Sequence, residues 1–165
     1  MEFMIPFSNR SHSFTEEEVA VVVDAMQSAD PLTQGKNLKI FEERFRQYTN
    51  TQNVFAVCNA TAALEMTVQL ARLQRGDEVI IPSHTFTSSA YPFAKRGIKI
   101  VWADIDPKTR VVNPQTLIAQ ISPKTKAIVV VHLYGYGADM PEILEIAKAH
   151  KLMVIEDAAQ ALGVD

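Results

Sequence analysis

The spacing of apolar residues changes along the chain, and this change separates two parts. In the first part the apolar positions recur every three or four residues, as in an amphipathic helix. They are Leu38, Phe41, Phe45 and Tyr48. Earlier in the chain, Thr15 and Glu18 have the spacing of a capping box, which predicts a helix from about Glu16 to Gln27. Together the two helices predict an N-terminal helical arm over residues 1–50.

From residue 51 onward, short continuous apolar runs alternate with helical segments. The predicted strands are Val54–Cys58, Glu78–Ile81, Ile98–Ala103, Ala127–Val131 and Met153–Ile155. The predicted helices are Thr61–Leu73, Ser88–Arg96, Pro114–Ile121 and Pro141–His150. Strands that are apolar throughout are typical of a parallel sheet covered on both faces. The pattern therefore predicts an α/β fold over residues 51–165, a three-layer α/β/α sandwich with a mostly parallel sheet.

Composition narrows the function classes. The 165 residues carry a net charge of −3, which argues against binding to nucleic acid or to an anionic membrane. No apolar run approaches the ~20 residues of a membrane-spanning helix, and the first residues lack the pattern of a signal peptide. The single cysteine, Cys58, excludes an internal disulfide, and the four histidines have no metal-ligand spacing. We therefore expect a cytoplasmic protein without a metal site.

Three predicted strand ends carry residues with two interpretations each. The helix that starts near Thr61 offers free N–H groups and a hydroxyl to an anion, although capping by Asn59 or Thr61 explains the same residues. Phe86 follows a strand, where it could stack on a planar ring or belong to the core. His132 could face the same crevice, although a structural histidine is the simpler interpretation.

The last predicted strand runs into Asp157 and Gln160. An acid at the carboxyl end of a parallel strand points into the crevice where open α/β sheets bind ligands. There it could hold a heteroaromatic nitrogen protonated, or it could cap a helix. An anion cradle, a stacking ring and such an acid together fit pyridoxal phosphate. A nucleotide-binding Rossmann module is a weaker hypothesis, because neither G-x-G-x-x-G nor a Walker loop is present.

Motifs spread along the chain carry a resemblance to a known family. They are Leu32–Lys36, Asn59–Leu64, Gly76–Ile80, Pro82–Phe86, Asp104–Asp106, Val131–Gly135 and Ile155–Gln160. In order and spacing they resemble the DegT/DnrJ/EryC1/StrS family of sugar-nucleotide aminotransferases, whose large domain has fold type I. Two positions depart from the family pattern. Ala60 stands where glycine is common, and Tyr136-Gly137 stand where Gln-Pro is common.

The resemblance implies a role for each candidate residue. The backbone at Ala60 and Thr61 would hold the phosphate of pyridoxal phosphate, and Phe86 would stack on its ring. Asp157 would pair with the ring nitrogen, and Gln160 would bond the ring hydroxyl. The implied reaction moves an amino group from glutamate to a nucleotide-linked keto sugar, in amino-sugar biosynthesis, and the full-length protein is expected to be a homodimer.

The resemblance also places the Schiff-base lysine and a small C-terminal domain beyond Asp165. None of the nine lysines of the chain occupies the family's lysine position. We therefore expect an N-terminal portion with a truncated large domain, no catalytic residue and no activity of its own. A non-catalytic ligand-binding or regulatory fragment is the alternative.

Truncation is expected to affect the sheet as well. Val54–Cys58 would lose its neighbouring strand, whereas the other four strands could still pair among themselves. The resulting free edge and apolar surface predict a poorly soluble or partly ordered chain.

Overall fold

The structure, a computed structural model, describes residues 13–28, 30–31 and 33–164. The chain divides into two compact units, the first ending at Ala56 and the second beginning at Val57. The first unit contains helices α1 (Glu16–Ser28) and α2 (Lys36–Thr49).

Both helices of the first unit have ends that their sequences explain. Thr15 Oγ1 accepts from the Glu18 N–H at 3.2 Å, and Glu18 Oε2 accepts from the Thr15 N–H at 2.7 Å, which confirms the predicted capping box of α1. Helix α2 ends at Thr49 and is capped by Asn50, which adopts the left-handed conformation with φ of 50°. Asparagine tolerates this conformation better than most residues, so the helix stops there.

The second unit is built around a four-stranded sheet. Its strands are β1 (Glu78–Pro82), β2 (Lys99–Ala103), β3 (Thr125–Val131) and β4 (Met153–Asp157). Its helices are α3 (Ala60–Leu70), α4 (Tyr91–Lys95), α5 (Pro114–Gln120) and α6 (Met140–His150), with 3₁₀ turns at Thr87–Ser89 and Leu133–Gly135. All neighbouring strands are parallel, in the order β2-β1-β3-β4.

The sheet separates two hydrophobic cores because alternate strand residues face opposite sides. On one face, Val79 and Ile81 of β1 pack with residues of α3 and α4, among them Val68 and Phe93. On the other face, Ile80 joins a cluster that includes Leu117 of α5 and Ile143 of α6. The prediction of a three-layer α/β/α sandwich with a parallel sheet is therefore confirmed.

One predicted strand is wrong. Val54–Cys58 pairs with no other strand in the described part of the chain. The Ala56 N–H donates instead to Glu42 Oε1 at 2.9 Å, and the Phe55 side chain is 77% exposed. A strand requires a neighbouring backbone to form its ladder, and this apolar run has none among the described residues. The other four predicted strands pair among themselves, as expected.

The predicted helix Ser88–Arg96 is divided in the structure. Thr87–Ser89 forms a 3₁₀ turn, and α4 begins only at Tyr91, with Pro92 in its first turn. Proline has no N–H and is tolerated in the first turn of a helix but not in its interior. The proline therefore begins a new helix rather than continuing an old one.

The buried carboxylate of Glu78 connects the start of β1 with the start of β2 and with the segment before β3. Glu78, at the start of β1, accepts a hydrogen bond from Lys99 Nζ of β2 at 2.8 Å and a second from Ser122 Oγ. These two donors hold the pKa of Glu78 below its usual range, with the Lys99 ammonium as the largest cause. The charge of this buried carboxylate is therefore compensated.

Candidate functional site

A cavity of about 250 Å³ lies at the carboxyl ends of the strands. From β1 the chain passes to β2 on one side of the sheet and then returns to β3 on the other. Such a reversal of strand order leaves a crevice at the carboxyl ends, where open α/β sheets bind their ligands. All five predicted site residues line this cavity: Ala60, Thr61, Phe86, Asp157 and Gln160.

The start of α3 supplies hydrogen-bond donors to the cavity. Asn59 Oδ1 accepts from the Ala62 N–H at 2.9 Å, so the capping interpretation of Asn59 is correct. Within the described residues, the N–H groups of Ala60 and Thr61 have no protein acceptor. These donors, together with the helix dipole, suit an anion such as phosphate. The cap and an anion site therefore coexist, because they use different N–H groups.

Asp157, at the end of β4, presents a half-buried carboxylate to the same cavity. Its Oδ2 accepts from Ser89 Oγ at 2.6 Å, and its Oδ1 accepts from the Ala159 N–H at 3.2 Å. The residues after Asp157 form turns, so the interpretation of Asp157 as a helix cap is wrong. A carboxylate has about four acceptor positions, and Asp157 can therefore accept a further hydrogen bond from a cationic N–H.

The ring of Phe86 belongs to neither core. Phe86 is 69% exposed and lines the cavity just after β1. The interpretation of Phe86 as a core aromatic is therefore wrong. An exposed ring on a cavity wall can stack against a planar ligand.

The amide of Gln160 has a defined orientation. Its Oε1 accepts from the Tyr134 N–H at 2.9 Å, which assigns the oxygen and nitrogen of the amide by their partner. Tyr134 has a φ of 57°, a left-handed conformation that is unfavourable for tyrosine, and this hydrogen bond helps to hold it. The two donors on Gln160 Nε2 are left for an oxygen atom of a ligand.

The ring of His132 is held by protein groups. It is buried, and its Nδ1 accepts from the Ala138 N–H at 3.2 Å. Because Nδ1 accepts, the ring proton lies on Nε2, which donates to Glu156 Oε2 at 3.2 Å. Both ring nitrogens therefore have protein partners, as the structural interpretation predicts, and His132 also lines the cavity, as the alternative predicts.

Three hydroxyl residues of the site escaped the sequence interpretation, which considered only Phe86 in this segment. Thr85, Ser88 and Ser89 follow β1 and line the cavity. Thr61 Oγ1 donates to Ser88 Oγ at 2.8 Å, whereas Ser89 reaches Asp157. The available signal was a run of hydroxyl residues directly after a strand end.

The sequence of the chain matches a known family over nearly its whole length. The model of the DegT/DnrJ/EryC1/StrS aminotransferase family matches residues 12–165. The chain belongs to this family. The resemblance expected from the strand-end motifs is therefore confirmed.

Two curated relatives illustrate the range of DegT/DnrJ/EryC1/StrS proteins. The chain is 37% identical over 161 residues to a pleiotropic regulatory protein of Geobacillus stearothermophilus, covering 96% of this chain and 43% of that protein. It is 40% identical over 142 residues to GDP-perosamine synthase of Caulobacter vibrioides, covering 86% of this chain and 38% of that protein. The chain thus spans about two fifths of the length of these family members.

Solved structures of related proteins share the fold. An aminotransferase from Psychrobacter cryohalolentis superposes with a TM-score of 0.89 at 36% identity, covering 96% of this chain and 40% of that one. NtdA of Bacillus subtilis, solved with the bound cofactor PMP (pyridoxamine phosphate), superposes with a TM-score of 0.85 at 34% identity. That match covers 92% of this chain and 35% of NtdA.

The described part of this family member contains no lysine in the cavity lining. It contains no cluster of three or more metal-ligating side chains either. The lining of the cavity instead includes residues that offer hydroxyl, amide, carboxylate and aromatic groups to a ligand.

None of the helices in the described ranges is long and apolar enough to cross a membrane.

Proposed function

We propose that the cavity binds pyridoxal phosphate and its amine form, pyridoxamine phosphate, in a sugar aminotransferase of which this chain is the N-terminal portion. One observation carries the proposal. Unused helix N–H groups, a carboxylate with spare acceptor positions and an exposed aromatic ring line the same cavity of about 250 Å³. A phosphorylated pyridine has a complementary group for each of them.

Each group of the cavity has a role toward that cofactor. The N–H groups of Ala60 and Thr61 hold the phosphate, because they lie at the positive end of α3. Phe86 stacks on the ring. The Nε2 donors of Gln160 bond the ring oxygen, since Oε1 is already occupied by Tyr134. The cavity thus offers a partner for the phosphate, for the ring and for the ring oxygen of the cofactor.

Asp157 has the main electronic role. When bound, the cofactor supplies an electron sink for chemistry at an amine-bearing carbon. The Asp157 carboxylate keeps a proton on the ring nitrogen, because an adjacent negative charge favours the cationic form. The bonds from Ser89 and Ala159 fix the direction in which this carboxylate points.

The proposed substrates are a nucleotide-linked keto sugar and glutamate as amino donor. Membership of the family and 40% identity to a GDP-perosamine synthase support the sugar. Glutamate as the amino donor and the homodimer follow from the family resemblance, whereas the proposed cytoplasmic location follows from the composition of the chain. The cavity lining of the described residues holds no lysine, so we propose that the chain alone binds cofactor without turnover and that the lysine lies beyond Asp165.

Equilibrium binding of pyridoxamine phosphate to the chain tests the site, because this form needs no covalent bond to a lysine. We expect Asp157→Asn to weaken binding at least about tenfold, the loss of one charge-assisted hydrogen bond. Asp104→Asn is the matched control, because it removes the same charge from an exposed residue outside the cavity. Equal affinities of the wild-type chain and Asp157→Asn would contradict the proposal.

A non-catalytic ligand-binding or regulatory role is the second candidate. The 37% identity to a pleiotropic regulatory protein favours it. The two candidates differ once the protein has its full family length: an aminotransferase consumes glutamate when a keto sugar is supplied, and a regulator does not. Borohydride trapping of pyridoxal phosphate on one specific lysine of the present chain would contradict the claim that none serves.

A further inference from the structure

Ser89 is the most deeply buried polar residue next to the cavity. Its exposure is 0%, and its hydroxyl lies 2.6 Å from Asp157 Oδ2 and 2.7 Å from Thr85 Oγ1. Ser89 and Asp157 are 68 residues apart in the chain. The contact therefore joins the turn after β1 to the end of β4.

The hydrogens in this network can be assigned. An ionised carboxylate only accepts, so Ser89 must donate its single hydroxyl hydrogen to Asp157. Ser89 then has only lone pairs to offer to Thr85, and Thr85 must be the donor in that contact. The network is a one-way relay from Thr85 to Ser89 to Asp157. Ser89 is fully buried, so in this arrangement its hydroxyl is bonded to protein groups rather than to solvent.

We propose that Ser89 is a positioning residue for Asp157, held in turn by Thr85, and that it directs the carboxylate toward the ring nitrogen of the bound cofactor. This proposal rests on the proposed function of the cavity. The Ala159 N–H fixes Oδ1 at 3.2 Å, and Ser89 fixes Oδ2 at 2.6 Å. With one donor on each oxygen, rotation of the carboxylate breaks at least one of these two hydrogen bonds, and the remaining lone pairs keep a constant direction.

The same turn serves the other end of the cavity. Ser88 accepts from Thr61 Oγ1 at 2.8 Å, at the start of α3 where the phosphate is proposed to bind. Adjacent residues of the Thr87–Ser89 turn therefore contact the residues proposed for the phosphate and for the ring nitrogen. The turn thus contacts both ends of the proposed site.

The test is the binding of pyridoxamine phosphate to the 165-residue chain, followed by its absorbance as a function of pH. The absorbance reports protonation of the ring nitrogen in the bound ligand. We expect Ser89→Ala to weaken binding about tenfold, because a misdirected Asp157 carboxylate loses its hydrogen bond to the charged ring nitrogen of the ligand. We also expect the protonation midpoint to move toward that of the free ligand, because a misdirected carboxylate stabilises the ring cation less.

Control variants distinguish a positioning role of Ser89 from a general effect of removing a hydroxyl group and from loss of folding. Ser83→Ala removes the same atom from an exposed serine outside the cavity and should change neither quantity. Ser89→Cys keeps the shape of the side chain with a slightly larger atom and a weaker donor, so it should give an intermediate shift and serves as the comparison if Ser89→Ala does not fold. Thr85→Val should shift the midpoint in the same direction by less.

The outcomes are distinguishable. If the wild-type chain binds no pyridoxamine phosphate, or if Asp157→Asn has no effect, the proposed function fails and this proposal fails with it. If Asp157→Asn weakens binding but the Ser89 variants leave the midpoint unchanged, or move it away from that of the free ligand, only the positioning role is overturned.

Discussion

The orientation of single side chains decides what the cavity can bind. Gln160 shows this most clearly, because one end of its amide is occupied by the Tyr134 N–H and only the donor end remains. A ligand that presents an acceptor oxygen to Gln160 is therefore favoured over a ligand that presents a hydrogen-bond donor there.

Exchanging the amide for an acid tests this orientation. Gln160→Glu keeps an oxygen for the Tyr134 N–H but replaces the Nε2 donors with an acceptor. We expect affinity for pyridoxamine phosphate to fall at least about tenfold, because a favourable hydrogen bond becomes a repulsive contact. The thermal unfolding midpoint should change little. An equal loss of affinity and of stability would instead indicate that Gln160 acts only by holding Tyr134.

The sequence identifies the residues of the site that stand at strand ends, and it misses those that act through distant partners. Asp157 and Thr61 were identifiable because the carboxyl end of a strand and the start of the next helix are ligand positions in open α/β sheets. Ser89 was not, since its importance lies in a contact with a residue 68 positions away. No local spacing encodes such a contact.

Among the secondary-structure elements, α3 combines support of the fold with a place in the site. Its cap, Asn59, accepts from the Ala62 N–H at 2.9 Å. The N–H groups of the two preceding residues, Ala60 and Thr61, lie at the end of the helix that borders the cavity. Asn113 makes a similar cap at the start of α5, with its Oδ1 accepting from the Gln115 N–H at 2.8 Å. Asn113 is not part of the cavity lining.

The two caps provide a matched pair of variants. Asn59→Ala and Asn113→Ala should each lower the free energy of unfolding by about 1 kcal/mol, because each leaves one helix N–H without its acceptor. Only Asn59→Ala should also weaken binding of pyridoxamine phosphate. Urea denaturation and equilibrium binding measure the two effects, and a binding loss of the same size in both variants would contradict a special role for α3.

Element boundaries follow from local sequence only where local interactions set them. The capping box of α1 and the proline that opens α5 are local, and both were predicted at the correct residues. Val54–Cys58 has the composition of a strand, yet strand formation depends on a neighbour that composition does not reveal. Its prediction failed for that reason.

At the scale of the second unit, the buried Glu78 carboxylate links β1, β2 and the segment before β3. A carboxylate whose pKa is lowered by folding stabilises the folded state above its unfolded pKa of about 4.3. That contribution is lost as the pH falls below this value and through the lower pKa of the folded state. We expect Glu78→Gln to be less stable than the wild-type chain at pH 7, with the difference shrinking at about pH 3. Urea midpoints at the two pH values measure it, and a constant difference would contradict the assignment.

Exposed apolar surface on the second unit predicts self-association of the chain. Leu70 is 78% exposed and Leu162 is 66% exposed, and β4 has an unpaired edge in the described sheet. Such surfaces favour aggregation. Light scattering should show particle mass rising with protein concentration, and Leu70→Lys should reduce the rise. A monomer at all concentrations with a cooperative unfolding transition would contradict this prediction.

The cavity at the carboxyl ends of the sheet is the proposed cofactor site of this chain. Titration of pyridoxamine phosphate into the isotope-labelled chain, followed by the amide resonances in NMR spectra, locates the residues that the ligand contacts. We expect the largest shifts at Ala60, Thr61, Ala159 and Gln160, and no comparable shift at Asp104. Saturable binding whose largest shifts fall outside the cavity, or the absence of saturable shifts from a folded chain, would contradict this proposal.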